Sequence, residues 1–371
     1  MDVKVDPNYF DYAASAPPWR EAVDAFTEMC GEIYANPSSI HRHGKEAKNK
    51  LLELKQEFCD LLHFYDGRFL LCASGTEANN TIIDGHMERF PKGKLLIAND
   101  VHDSIWYATE KYPKAVEIFQ IDQSGDYQME HFKDAINKDI TLVCINHVCN
   151  ENGTIHPMKE LAEICYENQV KIMVDGMQSV GHIPVNLSDI PCTYYTISGH
   201  KFGAVRGTGG AFIRDDDFYP ILHGGKQEWN LRAGTENIAG LASMLEALKK
   251  SIEIMDVEAA RLNLLKDSMI SKLKKVPGLL INSSENNLPG MLSVSIPGTT
   301  GREVVGALSI MGFAISTGSA CHSNQMEPSR IILAMGSDRE EAIGSIRISM
   351  GIGTTSESVN ELATKLLEII N

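Results

Sequence analysis

The sequence predicts an α/β protein whose main sheet is largely parallel and covered by helices on both faces. Short apolar runs alternate with helical segments along the first 213 residues, and that alternation is the pattern of a parallel sheet with helical crossovers. Polar residues also collect where several of these runs end. With 371 residues, the chain is long enough for two domains. We expect a large domain over residues 13–250 and a smaller α/β domain formed by residues 1–12 and 251–371.

The apolar pattern predicts the elements of the large domain in order. Helices are expected over residues 20–34 and 45–63, and in the second of these the apolar side chains recur at helical spacing. Seven strand-like runs follow, with helical stretches between most of them, at residues 68–73, 95–98, 116–119, 140–146, 171–175, 194–198 and 210–213.

A long helical stretch from Thr235 to about Lys275 is expected to link this sheet to the rest of the chain, with a break allowed for near Asp256. A turn at Pro277-Gly278 follows. The small domain then mixes predicted strands (279–282, 291–296 and 346–350) with predicted helices (303–311 and 359–370).

Composition excludes several classes of protein. The formal net charge of −15 disfavours nucleic acid as a partner. No apolar run approaches the roughly 20 residues that span a bilayer, and the N-terminus has neither the basic nor the apolar region of a signal peptide. The chain has eight cysteines, and no two of them form a C-x-x-C pair. This pattern indicates reduced, mostly buried thiols. We therefore expect a cytoplasmic protein that binds neither membrane nor nucleic acid and has no metal site.

The motif Ser198-Gly-His-Lys201 ends an apolar strand-like run and opens a glycine-rich segment. A lysine at a strand end among small residues is partly desolvated, which weakens its hold on the proton and allows it to form a Schiff base. The alternative is an ordinary loop lysine near a turn, which the motif by itself does not exclude.

A second motif, Ser74-Gly75-Thr76, lies between a predicted strand and a predicted helix. Free backbone N–H groups and the helix dipole make such a turn a good phosphate cradle. The alternative is plain N-capping of the helix by Ser74 or Thr76.

Ligands of parallel sheets gather at the carboxyl ends of the strands. The polar residues that fall there are His102, His147, Asn150, Asp175, Gln178, Ser198, His200 and Lys201. Pyridoxal phosphate needs a lysine, an acid for its pyridinium nitrogen, phosphate donors, a flat ring and an arginine for the substrate carboxylate. The residues that meet these needs are Lys201, Asp175, Gly75, Thr76, Ser198, His200, His102 and Arg347. Asp175 alone could equally be a helix cap, and Arg347 alone a structural ion pair.

Cys321 differs in setting from the other cysteines. It lies in a run of small and polar residues from Ile315 to Pro328 with little periodicity, which predicts an exposed loop. A cysteine there, followed by His322, is accessible and can be activated as a thiolate. The alternative is an incidental surface thiol.

Together these segments resemble the cysteine desulfurases, within the class V family of fold-type I pyridoxal phosphate enzymes. The likeness extends over nearly the whole chain and is carried by ten segments: Phe10-Asp-Tyr-Ala-Ala14, Asn36-Pro-Ser-Ser39, Gly75-Thr-Glu-Ala-Asn-Asn80, Asp175, Gln178-Ser-Val-Gly181, Ser198-Gly-His-Lys201, Leu231-Arg-Ala-Gly-Thr-Glu-Asn237, Gly318-Ser-Ala-Cys321, Glu327-Pro-Ser329 and Ser345-Ile-Arg347. The resemblance implies a seven-stranded large domain. It also implies conversion of L-cysteine to L-alanine, with sulfur passed to Cys321 as a persulfide and then to an acceptor protein.

The resemblance also implies residue roles. Lys201 would hold pyridoxal 5'-phosphate and remove the α-proton, while Asp175 and Gln178 would bind the ring nitrogen and the phenolic oxygen. His102 would stack on the ring and give protons to intermediates. Arg347, Asn150 and Asn36 are assigned to the substrate. The family resemblance further implies a homodimer, in which Thr235 reaches the phosphate in the partner's site.

Three departures from the family pattern stand at Cys72-Ala-Ser74, at Cys149 and at Lys226 with Trp229. They leave open the hydrogen bonds of the phosphate turn and the shape of the entrance or dimer contact. Two other functions also stay open. One is a related pyridoxal enzyme, such as another aminotransferase or a selenocysteine lyase. In such an enzyme Cys321 would have no role. The other is a non-catalytic protein that docks partners. In such a protein Lys201 and Asp175 would have no catalytic role.

Overall fold

The computed structural model describes residues 4–318 and 327–370. Within these ranges the helices are α1 (Arg20–Glu32), α2 (Arg42–Leu61), α3 (Gly75–Arg89), α4 (Asp103–Thr109), α5 (Met129–Ala135), α6 (Met158–Glu167), α7 (Ile238–Leu273), α8 (Gly301–Ile310), α9 (Arg330–Ala334), α10 (Arg339–Ile343) and α11 (Ser356–Ile370). The strands are β1 (Arg68–Cys72), β2 (Lys94–Ala98), β3 (Val116–Phe119), β4 (Ile140–Asn146), β5 (Lys171–Asp175), β6 (Tyr194–Ser198), β7 (Gly209–Ile213), β8 (Leu280–Ile281), β9 (Met291–Ser295), β10 (Ser316–Thr317) and β11 (Ser345–Ser349).

The first seven strands form one sheet in the order β1-β7-β6-β5-β4-β2-β3. All neighbouring pairs are parallel except those of β7, which runs antiparallel to both β1 and β6. The prediction of a mainly parallel seven-stranded sheet is therefore confirmed. The register sets Asn146 at the end of β4 beside Asp175 at the end of β5, so polar residues at these strand ends meet at one edge of the sheet.

Helix α7 is one continuous helix of 36 residues, so the break allowed for near Asp256 is wrong. Its first half buries Leu241, Leu245 and Leu248 in the core of the large sheet. Its second half buries residues such as Leu262 and Met269 in a second core. No side chain is buried over residues 252–261, because there the helix passes between the two cores. The proposed domain boundary at residue 250 falls inside this helix and stays a prediction.

The second core covers an antiparallel sheet in the order β10-β11-β9-β8. The N-terminal segment reaches this sheet through bridges from Tyr9 to Ala314 and from Asp11 to Ser349. The loop predicted to start at Ile315 is wrong at its beginning, because β10 pairs with β11 and places Ser316 opposite Arg347. Cys321 and its neighbours at 319–326 lie outside the described residues.

Two further findings concern the described part of the chain. None of its helices has both the length and the apolar character needed to cross a membrane. Its seven cysteines are free thiols, and six of them are buried, the exception being Cys30 on α1.

Candidate cofactor and substrate site

A pocket opens at the edge of the large sheet where β4, β5 and β6 end. Nine of the residues predicted from the sequence line it, and they are Gly75, Thr76, His102, Asn150, Asp175, Gln178, Ser198, His200 and Lys201. A second cavity adjoins it, because His102, Asn150 and Lys201 line both. Arg347 and Gly318 line the second cavity. The structure thus brings most of the predicted residues into one continuous site.

Lys201 ends a short 3-10 turn that follows β6 directly. Its Nζ donates hydrogen bonds to the backbone oxygens of Ala13, at 2.6 Å, and Ala14, at 3.0 Å. These two residues follow the N-terminal segment that pairs with the second sheet. The amine therefore lies where the large sheet and the N-terminal segment meet.

Asp175 is a buried carboxylate at the end of β5, with 4% of its surface exposed. One oxygen accepts from the backbone N–H of Met177 at 3.0 Å and the other from Asn79 Nδ2 at 3.0 Å. Asn79 is itself fully buried and accepts from Thr196 Oγ1 at 2.7 Å. A charged group buried with donors on both oxygens is held in one orientation.

Asn79 is a positioning residue that sequence reasoning missed. It belongs to the segment Gly75-Thr-Glu-Ala-Asn-Asn80, but nothing in the sequence distinguishes it from its neighbour Asn80, which bonds to the backbone of its own helix. Only the packing of α3 across the sheet brings Asn79 to Asp175.

The turn between β1 and α3 has a glycine, Gly75, where it packs against Met177, and a second glycine, Gly209, packs against its backbone. A Cβ on Gly75 would lie 2.1 Å from Met177 Cε, and one on Gly209 would lie 2.5 Å from the Ser74 carbonyl carbon. Ser74 Oγ accepts from Glu77 N at 3.1 Å, so the N-capping alternative holds for Ser74. The turn still presents the N-terminus of a 15-residue helix to the pocket, which favours an anion.

His102 and His200 both face the pocket as neutral rings. Burial is the main cause that lowers the pKa of His102, and the charge of Lys201 adds to it. Burial, together with the positive charges of Lys201 and Arg206, lowers the pKa of His200 to about 4. Because His102 Nδ1 accepts from the backbone N–H of Ser104 at 3.1 Å, its neutral ring carries the proton on Nε2.

Arg347 lies at the far side of the site on β11, 3% exposed. One terminal nitrogen donates to the Asn150 backbone oxygen at 2.7 Å and the other to Asp11 Oδ1 at 3.1 Å. Arg347 Nε and Asn150 Oδ1 are both buried without a hydrogen-bond partner among the described residues. Buried polar atoms of this kind are normally paired, so these two point to a ligand.

The ion pair between Asp11 and Arg347 is the second feature that the sequence did not reveal. Burial raises the pKa of Asp11, while Arg347 and Lys201 act to lower it. The structural alternative for Arg347 is therefore partly correct. The arginine has both an ion-pair partner and an unpaired Nε.

Two predicted residues lie away from the pocket of their own chain. Asn36 is exposed in the loop after α1, and its side chain accepts from Ser38 N at 2.8 Å. Thr235 is exposed as well, although its segment is tied to the first turn of α3 through Arg232, which donates to Glu77 at 2.6 Å. Their assigned roles stay predictions.

Two of the departures from the family pattern now have a structural setting. Cys149 is fully buried, and burial raises the pKa of its thiol, so it is not a candidate nucleophile. The Trp229 ring lies 4.4 Å from Lys55 Nζ, which forms a buried ion pair with Glu228. Trp229 thus covers a structural ion pair rather than the pocket.

Comparison with known proteins identifies the family. The model of the family described as "Aminotransferase class-V" matches residues 8–362. The chain belongs to this family. Among class V proteins it is 35% identical to "Cysteine desulfurase IscS" of Dictyoglomus turgidum, over 98% of this chain and 94% of that one. It is 31% identical to "Cysteine desulfurase IscS" of Methanosarcina thermophila, over 98% and 91%. The chain therefore groups with the cysteine desulfurases of class V.

Solved structures agree with this family assignment. A "NIFS-LIKE PROTEIN" superimposes with a TM-score of 0.90 at 28% identity, covering 98% of this chain and 99% of that one. "SspA in complex with cysteine" superimposes with a TM-score of 0.81 at 25% identity, covering 94% and 100%. The predicted fold class, that of the pyridoxal phosphate transferases, is confirmed.

Proposed function

We propose that this chain is a cysteine desulfurase that converts L-cysteine to L-alanine and passes the sulfur to Cys321 as a persulfide. One observation carries the proposal. Lys201 and the buried Asp175 line a pocket that is continuous with the cavity of Arg347. A Schiff-base lysine, an acid for a pyridinium nitrogen and a carboxylate receptor are thereby combined in one site.

Class V membership implies pyridoxal 5'-phosphate, and the residues present fit it. The backbone of the turn at Gly75 would hold the phosphate, together with Thr76, Ser198 and His200. Asp175 would hold the ring nitrogen, Gln178 the phenolic oxygen and His102 the ring face, while Lys201 would bond the cofactor covalently. When bound, the cofactor supplies an electron sink that makes the α-proton of an amino acid acidic.

The chain's own side chains then have distinct tasks. Arg347 Nε is a buried donor left for the carboxylate of the substrate, and Asn150 Oδ1 is a buried acceptor left for a donor group of the substrate. Lys201 Nζ takes the α-proton as general base. His102, neutral with its proton on Nε2, can give a proton to the substrate and recover it afterwards.

In the sulfur step, the thiolate of Cys321 attacks the sulfur of the substrate. The new S–S bond uses the electron pair of the thiolate, while the pair of the broken Cβ–S bond stays on carbon, which takes up a proton. L-cysteine and one enzyme thiol thus give L-alanine and one enzyme persulfide, without an external oxidant or reductant. The persulfide is then attacked by the thiol of an acceptor protein, in iron–sulfur cluster assembly or in the thiolation of a cofactor or tRNA.

We also propose a homodimer as the working unit. Thr235 is exposed in the single chain while its segment is tied to the first turn of α3, which supports the assignment of Thr235 to a partner's site. Light scattering should give twice the mass of the chain. A monomer with full activity would contradict this.

The test of the activity measures products from L-cysteine in the presence of a reductant. We expect alanine and sulfide in equal amounts. Cys321→Ser should keep the visible absorbance of the bound cofactor but release no sulfide. Cys30→Ser, at the exposed thiol of α1, is the matched control and should behave as wild type. A keto acid in place of alanine, or desulfuration at full rate by Cys321→Ser, would contradict the proposal.

A further inference from the structure

Glu151 is a buried carboxyl group with no task in the mechanism above. It lies in the loop after β4, is 7% exposed, and lines the same cavity as His102, Lys201 and Arg347. Its Oε2 accepts a hydrogen bond from Ser329 Oγ at 2.5 Å. A buried carboxyl beside the reacting groups is a candidate for a functional role.

The Glu151 carboxyl lies close to the chain on both sides of residues 319–326. On one side it lies against the backbone of Gly318, where an added Cβ would be 2.8 Å from Glu151 Oε2 and 3.0 Å from Ser345 Oγ. On the other side is Ser329, whose hydroxyl also accepts from Ile332 N at 3.1 Å and so caps α9. One side chain in the loop after β4 therefore lies next to one flank, at Gly318, and is hydrogen-bonded to the other, at Ser329.

The charge of this group changes near neutral pH. Burial is the main cause that raises the pKa of Glu151 to about 7, against the hydrogen bond from Ser329 and the charges of Arg330 on α9 and Arg347 on β11. Asp103 on α4 raises it further. Across the cavity lie His102 and Lys201. Above this pKa the carboxylate is the stronger acceptor for Ser329, because a charged acceptor strengthens a hydrogen bond.

We propose that Glu151 is a positioning residue for the sulfur-transfer step. Its carboxylate fixes Gly318 and Ser329 against the loop that follows β4, and so fixes the chain on either side of Cys321. Among the described residues, its side-chain hydrogen bond is with the flanking Ser329 and not with a residue assigned to the cofactor. Loss of the carboxylate should therefore slow transfer of sulfur without affecting removal of an α-proton. This inference rests on the proposed function.

Two readouts of the cofactor-loaded enzyme separate these steps. The first is persulfide formation on Cys321 in a single turnover of L-cysteine, followed from about pH 6 to about pH 8. The second is exchange of the α-proton of saturating L-alanine in heavy water, which needs Lys201 but not Cys321. Glu151→Gln keeps the shape of the side chain but cannot ionise. Glu253→Gln, an exposed carboxylate paired with Lys250 on α7, is the matched control.

In wild type, persulfide formation should fall as pH drops through about 7. Glu151→Gln should form persulfide about fivefold to tenfold more slowly at the upper pH and lose the part of the pH dependence centred near 7, while it exchanges alanine at the wild-type rate. Ser329→Ala should slow persulfide formation similarly. The double variant should be no slower than the slower single variant, because both changes act on the same hydrogen bond.

Three results would overturn the inference. They are an unchanged pH profile in Glu151→Gln, equal losses in both readouts, and additive losses in the double variant. Absence of alanine exchange in wild type would instead overturn the proposed function itself, and the inference with it.

Discussion

The two ends of the pocket differ in how completely the protein satisfies their polar groups. At the ring-nitrogen end, both oxygens of Asp175 accept hydrogen bonds from the protein, one of them from Asn79. At the carboxylate end, Asn150 Oδ1 and Arg347 Nε are buried without a partner in the part of the chain that the structure describes. A buried polar atom without a partner costs free energy. Among the described residues the second end therefore stays incomplete, which favours a ligand there.

This difference indicates what each end is built to hold. A fully hydrogen-bonded carboxylate is preorganised and suits a group that stays bound through many turnovers. A site that leaves polar atoms unpaired suits a molecule that arrives and leaves, because the substrate then supplies the missing partners. Changes at the first end should affect cofactor chemistry, and changes at the second should affect substrate affinity.

Lys201→Ala should have the largest effect, because this side chain lies between the two ends. Loss of the covalent bond to the cofactor and of the general base should lower kcat/KM by about 10³-fold or more. The measurement is alanine release, together with the absorbance of the isolated protein. Lys159→Ala, at an exposed position of α6, should leave both unchanged. An active Lys201→Ala variant with its absorbance intact would rule out this lysine as the attachment point.

Asp175→Asn should have the next largest effect, through kcat. The neutral amide cannot keep a ring nitrogen protonated, and we expect a loss on the order of 10²-fold to 10³-fold. Asn79→Ala should cause a smaller loss of about tenfold, because it removes one hydrogen bond from a carboxylate that stays in place. Steady-state kinetics measures both. Equal losses, or a loss confined to KM, would contradict the proposed division between the two ends.

Arg347→Lys should mainly raise KM for L-cysteine, by about tenfold to a hundredfold, since lysine keeps the charge but not the fork. The visible absorbance should be unchanged, because this residue lies at the substrate end. Titration with L-cysteine and a cofactor spectrum test the two statements. Loss of cofactor at an unchanged KM would show that the ends are not separate.

Much of the fold followed from the sequence because its signals are local. The apolar runs predicted the seven strands, and the polar residues at their ends predicted most of the pocket, because parallel strands present their carboxyl ends together. Helix α7 was one exception, as was the start of the loop predicted from Ile315. The apolar periodicity of α7 lapses around Asp256, which looks like a break, but the helix only crosses from one core to the other.

The residues that sequence reasoning missed depend on distant contacts. Asp11 and Arg347 are 336 positions apart, and no local pattern connects them. Asn79 is one of two adjacent asparagines, and only the packing of α3 decides which one reaches Asp175. The contacts of Glu151 with Gly318 and Ser329 likewise join separate segments.

A further expected effect is on stability rather than on activity, and it arises at His147, directly after β4 of the large sheet. Burial lowers the pKa of His147 to about 3, and the charge of His156 adds to this. Between about pH 6.5 and about pH 3, His147 binds a proton in the unfolded chain but not in the folded chain. The free energy of unfolding therefore falls as the pH falls. His147 alone should cost about 2 kcal/mol at pH 5 relative to neutral pH. Urea unfolding at the two pH values measures this cost.

The control for the pH effect is His147→Gln, which should lose less stability than wild type on acidification. Equal acid sensitivity in the variant and wild type would contradict the assignment.

The most direct test of the proposed function is the mass of the peptide that contains Cys321. The enzyme is incubated with one equivalent of L-cysteine, without a reductant or an acceptor. We predict one added sulfur atom on Cys321, one alanine released for each sulfur bound, and no sulfur on Cys30. An unmodified Cys321 in an enzyme that still consumes L-cysteine would contradict the role of Cys321 as the sulfur acceptor.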